Sequence, residues 1–171
     1  MHESLSSPNP ENHEEHESEN RLPNFEGDYS LPLPNSSRHL TIPPDFASQL
    51  PEKFILHTPS PDSIAVLTPE IYKTILDNAQ KSMPPAKFNE FHRGFSYRSR
   101  EASLNPHNEL FVPPYNPDKK GTQFLADLSG QLSITGRGRY FIIRNAVPDP
   151  SEARKQDTEP QLNKLIRQES I

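Results

Sequence analysis

The side chains best suited to chemistry in this sequence are four cationic or titratable residues that stand beside turns. Arg38 and His39 follow the turn-prone run 35–37 and precede a strand-like pattern. Arg137 and Arg139 alternate with glycine ahead of a second strand-like pattern. Arginine on an exposed turn can neutralise a phosphate, and each such contact adds to the salt-dependent part of nucleic-acid binding. We therefore take these four residues as candidate contacts to a polyanion.

The glycine-rich run 136–139 could also serve other purposes. It lacks both the G-x-x-x-x-G-K-[ST] and the G-x-G-x-x-G layouts, so it does not predict nucleotide binding. A solvated hairpin tip explains the run as well as a phosphate contact does. The sequence leaves these two interpretations open.

The sequence predicts neither an enzyme nor a metal protein. The cluster His-Glu-Glu-His at 13–16 differs from the H-E-x-x-H zinc motif because its second histidine comes one residue too early. Its acidic, polar surroundings indicate a solvated tail. There is no cysteine, and no nucleophile–base pair or paired carboxylates stand in apolar surroundings. We expect a protein with no catalytic site, no cofactor, no metal and no small-molecule substrate.

Residues 87–100 interleave aromatic side chains with arginine. Such a segment suits stacking on bases together with phosphate neutralisation, as in single-strand binders. The alternative is that Phe88, Phe91 and Phe95, at spacings of three and four, form one face of a helix that packs on the core. The spacing favours the helix.

The elements that must position these side chains are clearest in the first half of the chain. Alternation of apolar and polar residues predicts strands at 40–42, 53–57 and 63–67. Pro43 and Pro44 end the first of these strands, because proline cannot donate a backbone hydrogen bond. Thr68 as the cap and Pro69 at the first position predict a helix with an apolar stripe over 71–79.

This order of strand, turn, strand, short helix, strand, strand and helix resembles one repeat of the MraZ family of bacterial transcription regulators, relatives of the AbrB-type barrels. The family's repeat opens with F-x-G-E-Y, continues through a D-x-K-G-R turn and reaches an L-x-I-P strand end. The matching residues are Phe25, Gly27, Asp28, Tyr29, Leu40, Ile42, Pro43 and Phe46. A fainter second copy begins at Phe124, with its turn and strand at 127–134. The resemblance implies an α+β protein, a small β-barrel of AbrB/MraZ type built from two repeats.

The resemblance and the composition together divide the chain into five segments. They are a disordered acidic tail at 1–24, a first MraZ-like repeat at 25–86, a helical link and irregular loop at 87–120, a degraded second repeat at 121–147, and a polar tail with a short helix at 148–171. The high proline content, 20 of 171 residues, agrees with long segments that do not pack into a core.

The net charge of −5 is unevenly distributed. Residues 1–28 hold eight acidic side chains against one basic, whereas residues 87–144 hold nine basic against five acidic. A partner responds to the local potential rather than to the total, so the basic segment remains compatible with DNA. No apolar run approaches the roughly 18 residues of a membrane span, and no secretory leader opens the chain. We expect a cytoplasmic, nucleoid-associated protein without a membrane contact.

The resemblance implies a DNA-binding regulator of the promoter of the cell division and cell wall gene cluster. Such a protein forms a homo-oligomer, in this family a ring, that presents repeated basic turns to double-stranded DNA. Here Ser37, Arg38 and His39 replace the lysine, glycine and arginine of the first turn, and Gln131 replaces the arginine of the second. The missing basic residues leave another hypothesis open, an MraZ-like interaction or scaffold protein that has lost DNA binding.

Overall fold

The computed structural model of the protein describes residues 22–113, 126–146 and 158–167. Within these residues the chain forms eight strands and four helices. The strands are β1 (Asp28–Leu33), β2 (His39–Thr41), β3 (Phe54–Ser60), β4 (Ser63–Leu67), β5 (Ser99–Ala102), β6 (Glu109–Phe111), β7 (Gly130–Gly136) and β8 (Phe141–Asn145). The helices are α1 (Pro44–Ala47), α2 (Pro69–Ser82), α3 (Pro85–Tyr97) and α4 (Glu159–Arg167).

Six of the strands form one antiparallel sheet in the order β1-β7-β8-β4-β3-β5, and β2 and β6 form a separate antiparallel ribbon. The α+β class is therefore confirmed. The predicted β-barrel is wrong for the described residues, because the outer strands β1 and β5 do not pair with each other. Closing a barrel requires every strand to pair with two neighbouring strands. Among the described strands, β1 and β5 end the main sheet with one partner each, and β2 and β6 pair with each other outside it.

The sheet is covered on both faces. On one face the β2–β6 ribbon and α1 cover a core that includes Leu40, Phe46 and Leu110. On the other face α2, α3 and α4 cover a second core that includes Ile75 and Leu165. Strand β4 contributes alternate residues to the two cores, and its five residues are all buried.

Local signals in the first half act as the sequence predicts. The Thr68 side chain accepts a hydrogen bond from the Ile71 backbone N–H, 3.3 Å away, and Pro69 occupies the first turn of α2. The helix buries Ile71, Ile75 and Ala79. The predicted strands and the short helix after Pro43 are also confirmed.

The arrangement has an internal two-fold relation. Exchanging β1, β2, β3 and β4 with β5, β6, β7 and β8 leaves the strand order of the sheet unchanged when it is read from the other edge. The ribbon register is symmetric about the pair Leu40 and Leu110. The Ile42 N–H donates to the Asn108 carbonyl at 3.0 Å, and the Val112 N–H donates to the Arg38 carbonyl at 2.8 Å. We call β1–β4 with α2 the first unit, and β5–β8 with α4 the second unit.

The second unit begins before the segment 121–147, where the sequence analysis predicts a degraded second MraZ-like repeat, and that repeat stays a prediction. Its counterparts of β1 and β2 are β5 and β6, which lie within the predicted link at 87–120 rather than within 121–147. The strand of the fainter copy at 127–134 is part of β7, which pairs with β1 and β8, while residues 126–129 carry no strand and Phe124 lies outside the described residues. Most of the predicted acidic tail, at 1–21, lies outside the described residues. Residues 147–157 and 168–171, which include most of the predicted C-terminal tail, also lie outside them.

Candidate functional site

The turn before β2 holds Arg38 in a left-handed backbone conformation, with φ of 57°. The Arg38 N–H donates to the Pro34 carbonyl at 2.9 Å and closes the turn. Its half-buried guanidinium donates through Nε to the Val112 carbonyl at 3.1 Å and through Nη2 to the Pro113 carbonyl at 3.2 Å. The positive charge of Arg38 remains on the ribbon, but two N–H donors of its guanidinium already form hydrogen bonds within the protein.

His39 lies at the ribbon register position opposite Phe111, and the two rings are 5.6 Å apart between centroids. Phe111 is an exposed large apolar side chain, with 47% of its surface accessible. The turn before β6 is the counterpart of the Arg38 turn, and Asn108 adopts the same conformation there, with φ of 61°. Under the two-fold relation Glu109 takes the place of His39, so the second turn carries an acidic residue where the first carries an imidazole.

The run 136–139 has a packing role. A Cβ added at Gly136 would lie 2.2 Å from the Phe25 carbonyl oxygen, so the backbone of the first unit approaches too closely for any side chain. The Gly138 N–H also donates to the Phe25 carbonyl at 3.0 Å. Close contact with Phe25 therefore explains Gly136, and a positive φ of 87° explains Gly138, so the turn is neither a simple solvated tip nor an open phosphate cradle.

Arg137 is held by a carboxylate of α4. Its Nε donates to Glu159 Oε2 at 3.0 Å, the Tyr140 hydroxyl donates to the same oxygen at 2.9 Å, and Arg144 pairs with Glu159 Oε1. Burial raises the pKa of Glu159, but the hydrogen bonds from Tyr140, Arg137 and Arg144 outweigh it and leave the pKa below its usual value. Burial and the Glu159 charge raise the pKa of Tyr140. The cluster carries two arginines and one carboxylate.

The four predicted contacts thus form two groups. Arg38 and His39 lie on the ribbon, on the face of the sheet opposite α2, α3 and α4. Arg137 belongs to the cluster that binds α4 on the helical face, and Arg139 lies partly buried in the same β7–β8 turn. The observed contacts therefore place the four side chains in two separate groups and not in one surface patch.

The predicted aromatic face of 87–100 is a helix face, as the spacing favoured. Phe95 is buried in α3, and Phe88 and Phe91 pack partly buried against the helical-face core. A groove of about 620 Å³ nevertheless runs beside this helix, and the sequence analysis did not anticipate it. Its lining comes from the end of α2, one face of α3, the start of α4 and strand β3.

His57 of β3 lies at this groove and is almost fully buried. Its Nδ1 is 2.9 Å from the Ser99 hydroxyl, and its ring lies 4.2 Å from that of Phe95 between centroids. Burial and the nearby Arg98 guanidinium lower the pKa of His57 to about 3. The imidazole is therefore neutral at physiological pH. Pairing of β3 with β5 brings His57 to Ser99, a contact between residues too far apart in the chain for local patterning to reveal.

Two further findings concern the described residues as a whole. No three of their histidine, aspartate and glutamate side chains cluster as metal ligands would. None of their helices combines the length and the apolar character that crossing a membrane requires.

No protein-family model and no curated protein matches this chain.

Proposed function

We propose that this protein is a DNA-binding transcription regulator of the MraZ type, with the AbrB/MraZ arrangement of two repeats. The observation that carries the proposal is the pair of two-fold-related turn and strand units. Arg38 and Asn108 adopt the same left-handed conformation, and each accepts a ribbon hydrogen bond from the other unit. The D-x-K-G-R turn of this family places glycine at that position, where a positive φ favours it.

The sequence supports a second repeat once it is aligned by the ribbon. Leu40, Ile42 and Pro43 of the first unit correspond to Leu110, Val112 and Pro113 of the second. The L-x-I-P strand end therefore has an L-x-V-P counterpart. This register replaces the fainter match at 127–134 as the support for a duplicated unit.

A two-stranded ribbon is one of the elements that fit the major groove of DNA. The β2–β6 ribbon carries the positive charge of Arg38 and the ring contact between His39 and Phe111. One such ribbon offers few phosphate contacts. A homo-oligomer, in the extreme a ring, would combine weak contacts through effective concentration on a promoter with repeated sites. A nucleoid location follows from this proposal.

A second candidate function is an interaction or scaffold protein that retains the fold without binding DNA. The intramolecular contacts of the arginine side chains favour this second function. Arg38 donates to two backbone carbonyls, Arg137 pairs with Glu159, and the second turn carries Glu109. Each of these features reduces the positive potential that phosphates would meet.

The substitution Arg38→Gly separates the two functions. Glycine keeps the left-handed backbone at no steric cost while it removes the cation. Asn108→Gly is the matched control, because it makes the same backbone change at the equivalent position without changing charge. For a DNA-binding protein, the slope of log affinity against log salt should fall by about one in Arg38→Gly and stay unchanged in Asn108→Gly.

Fluorescence anisotropy with labelled promoter DNA at several salt concentrations measures both slopes. Thermal unfolding of each variant checks that loss of the Val112 and Pro113 hydrogen bonds has not unfolded the protein. Equal slopes in the wild type and both variants would remove Arg38 from any DNA contact. No binding to promoter DNA at low salt would favour the scaffold function.

A further inference from the structure

The groove beside α3 is formed by residues of several helices and strand β3. Most of its wall surface is apolar and polar side chains supply the rest, a composition that suits a small-molecule site. The lining residues that matter here are His57, Met83, Phe91, Gly94, Phe95 and Arg98. Lys87 and Glu90 also line it, both exposed and opposite in charge.

Arg98 is the charged group of this groove. Its side chain is partly buried, and within the described part of the chain no ion pair or hydrogen bond joins its guanidinium to another residue. Its backbone is used by the fold, since the Thr58 N–H donates to the Arg98 carbonyl at 3.1 Å. The adjacent His57 imidazole is neutral or cationic but never anionic, so it cannot offset the Arg98 charge. A partly desolvated guanidinium without a partner is costly, and an anion in the groove would offset that cost.

Gly94 gives an independent indication. It lies inside α3, where glycine destabilises a helix relative to alanine. It has no positive φ, and a Cβ built on it meets no atom within 4 Å. Neither backbone conformation nor packing within the protein therefore explains this glycine. Its absent side chain leaves the wall of the groove bare between Phe91 and Arg98.

We propose that this groove binds a small amphipathic organic acid. Its carboxylate would pair with Arg98, and its flat apolar body would lie over Gly94 against Phe91, Phe95 and Met83. The bare helix backbone at Gly94 admits a planar body that a side chain there would block. The exposed Lys87 and Glu90 leave the mouth of the groove nearly neutral, so the attraction for the acid is concentrated at Arg98. This site is independent of the proposed DNA contact, which lies on the opposite face of the sheet.

Titration of the full chain with 1-naphthoate, followed by calorimetry, tests the site. We expect saturable binding of one molecule per chain, and much weaker binding of the uncharged 1-naphthalenemethanol. Arg98→Gln should weaken naphthoate binding about tenfold, the effect of losing one charge-assisted hydrogen bond. Arg93→Gln is the matched control, because Arg93 is exposed on α3, does not line this groove, and loses the same charge.

A second variant tests the shape of the groove. Gly94→Leu should abolish naphthoate binding while the melting temperature is maintained or raised, because leucine favours the helix and fills open space. Three results would each overturn the proposal. They are the absence of saturable naphthoate binding, equal weakening by Arg98→Gln and Arg93→Gln, and naphthoate binding that survives Gly94→Leu.

Discussion

The two units have the same topology, but they stabilise their buried ionisable groups in opposite ways. The first unit buries His57, which is neutral and shares one hydrogen bond with Ser99. The second unit buries Glu159, which is charged and is surrounded by two arginines and a tyrosine hydroxyl. Their helices differ as well, since α2 is capped by Thr68 whereas α4 is held to the sheet through Glu159. A repeated backbone can therefore keep its strand order while the forces that hold it diverge.

Glu159→Ala should give the largest loss of stability. It leaves Arg137, Arg144 and the Tyr140 hydroxyl without their shared acceptor, and losing these hydrogen bonds to a charged group should cost about 3 kcal/mol or more in total. Thr68→Ala is the companion change in the first unit and should cost about 1 kcal/mol, as loss of a helix cap does. Urea unfolding monitored by circular dichroism measures both. Equal losses in the two variants would contradict the difference drawn between the units.

The stability of the first unit should also depend on pH through His57. Its folded pKa of about 3 lies below the unfolded value of 6.5, so the unfolded chain binds the extra proton between these values. The contribution of His57 to the free energy of unfolding is therefore fully present above pH 6.5 and is lost as the pH falls. Between pH 6.5 and 5 the loss should be about 2 kcal/mol.

The Glu159 carboxyl contributes in a lower window, because its folded pKa is lowered from 4.5 and its contribution is lost only as the pH falls below that value. His57→Gln should thus flatten the stability profile between pH 6.5 and 5 and leave the steep loss below pH 4.5. Urea midpoints measured at half-unit pH intervals give this profile. A variant profile as steep as the wild type above pH 5 would remove His57 as the cause.

The first unit was predictable because its signals are local. Leu40 and Ile42 alternate with polar residues, two prolines follow, and Thr68 with Pro69 starts the helix that the structure contains. The second unit was not recognisable from the sequence, because its turn lacks the residues that identify the motif. Asn108 stands where glycine is expected and Glu109 where arginine is expected, and the edge strand β5 shows no apolar alternation.

The site was harder to predict than the fold because its contacts are long-range. Nothing near Arg38 in the sequence indicates that its guanidinium reaches the Val112 and Pro113 carbonyls, since β2 and β6 must first pair. The groove likewise requires β3 to pair with β5 before His57 and Arg98 can share a wall. Only Gly94 left a signal in the sequence, as a glycine inside a helical aromatic pattern.

The central claim is that the two turns are equivalent in backbone and differ in charge, and that under the proposed function this charge difference would govern DNA binding. Glu109→Arg tests it most directly, because it places a cation in the second turn at the position that His39 occupies in the first. Asp77→Arg makes the same change in charge on the exposed surface of α2, on the helical face of the sheet. In anisotropy titrations with promoter DNA, we predict that Glu109→Arg tightens binding and steepens the salt slope by about one, while Asp77→Arg has a smaller effect. The same slope in both variants would contradict the claim.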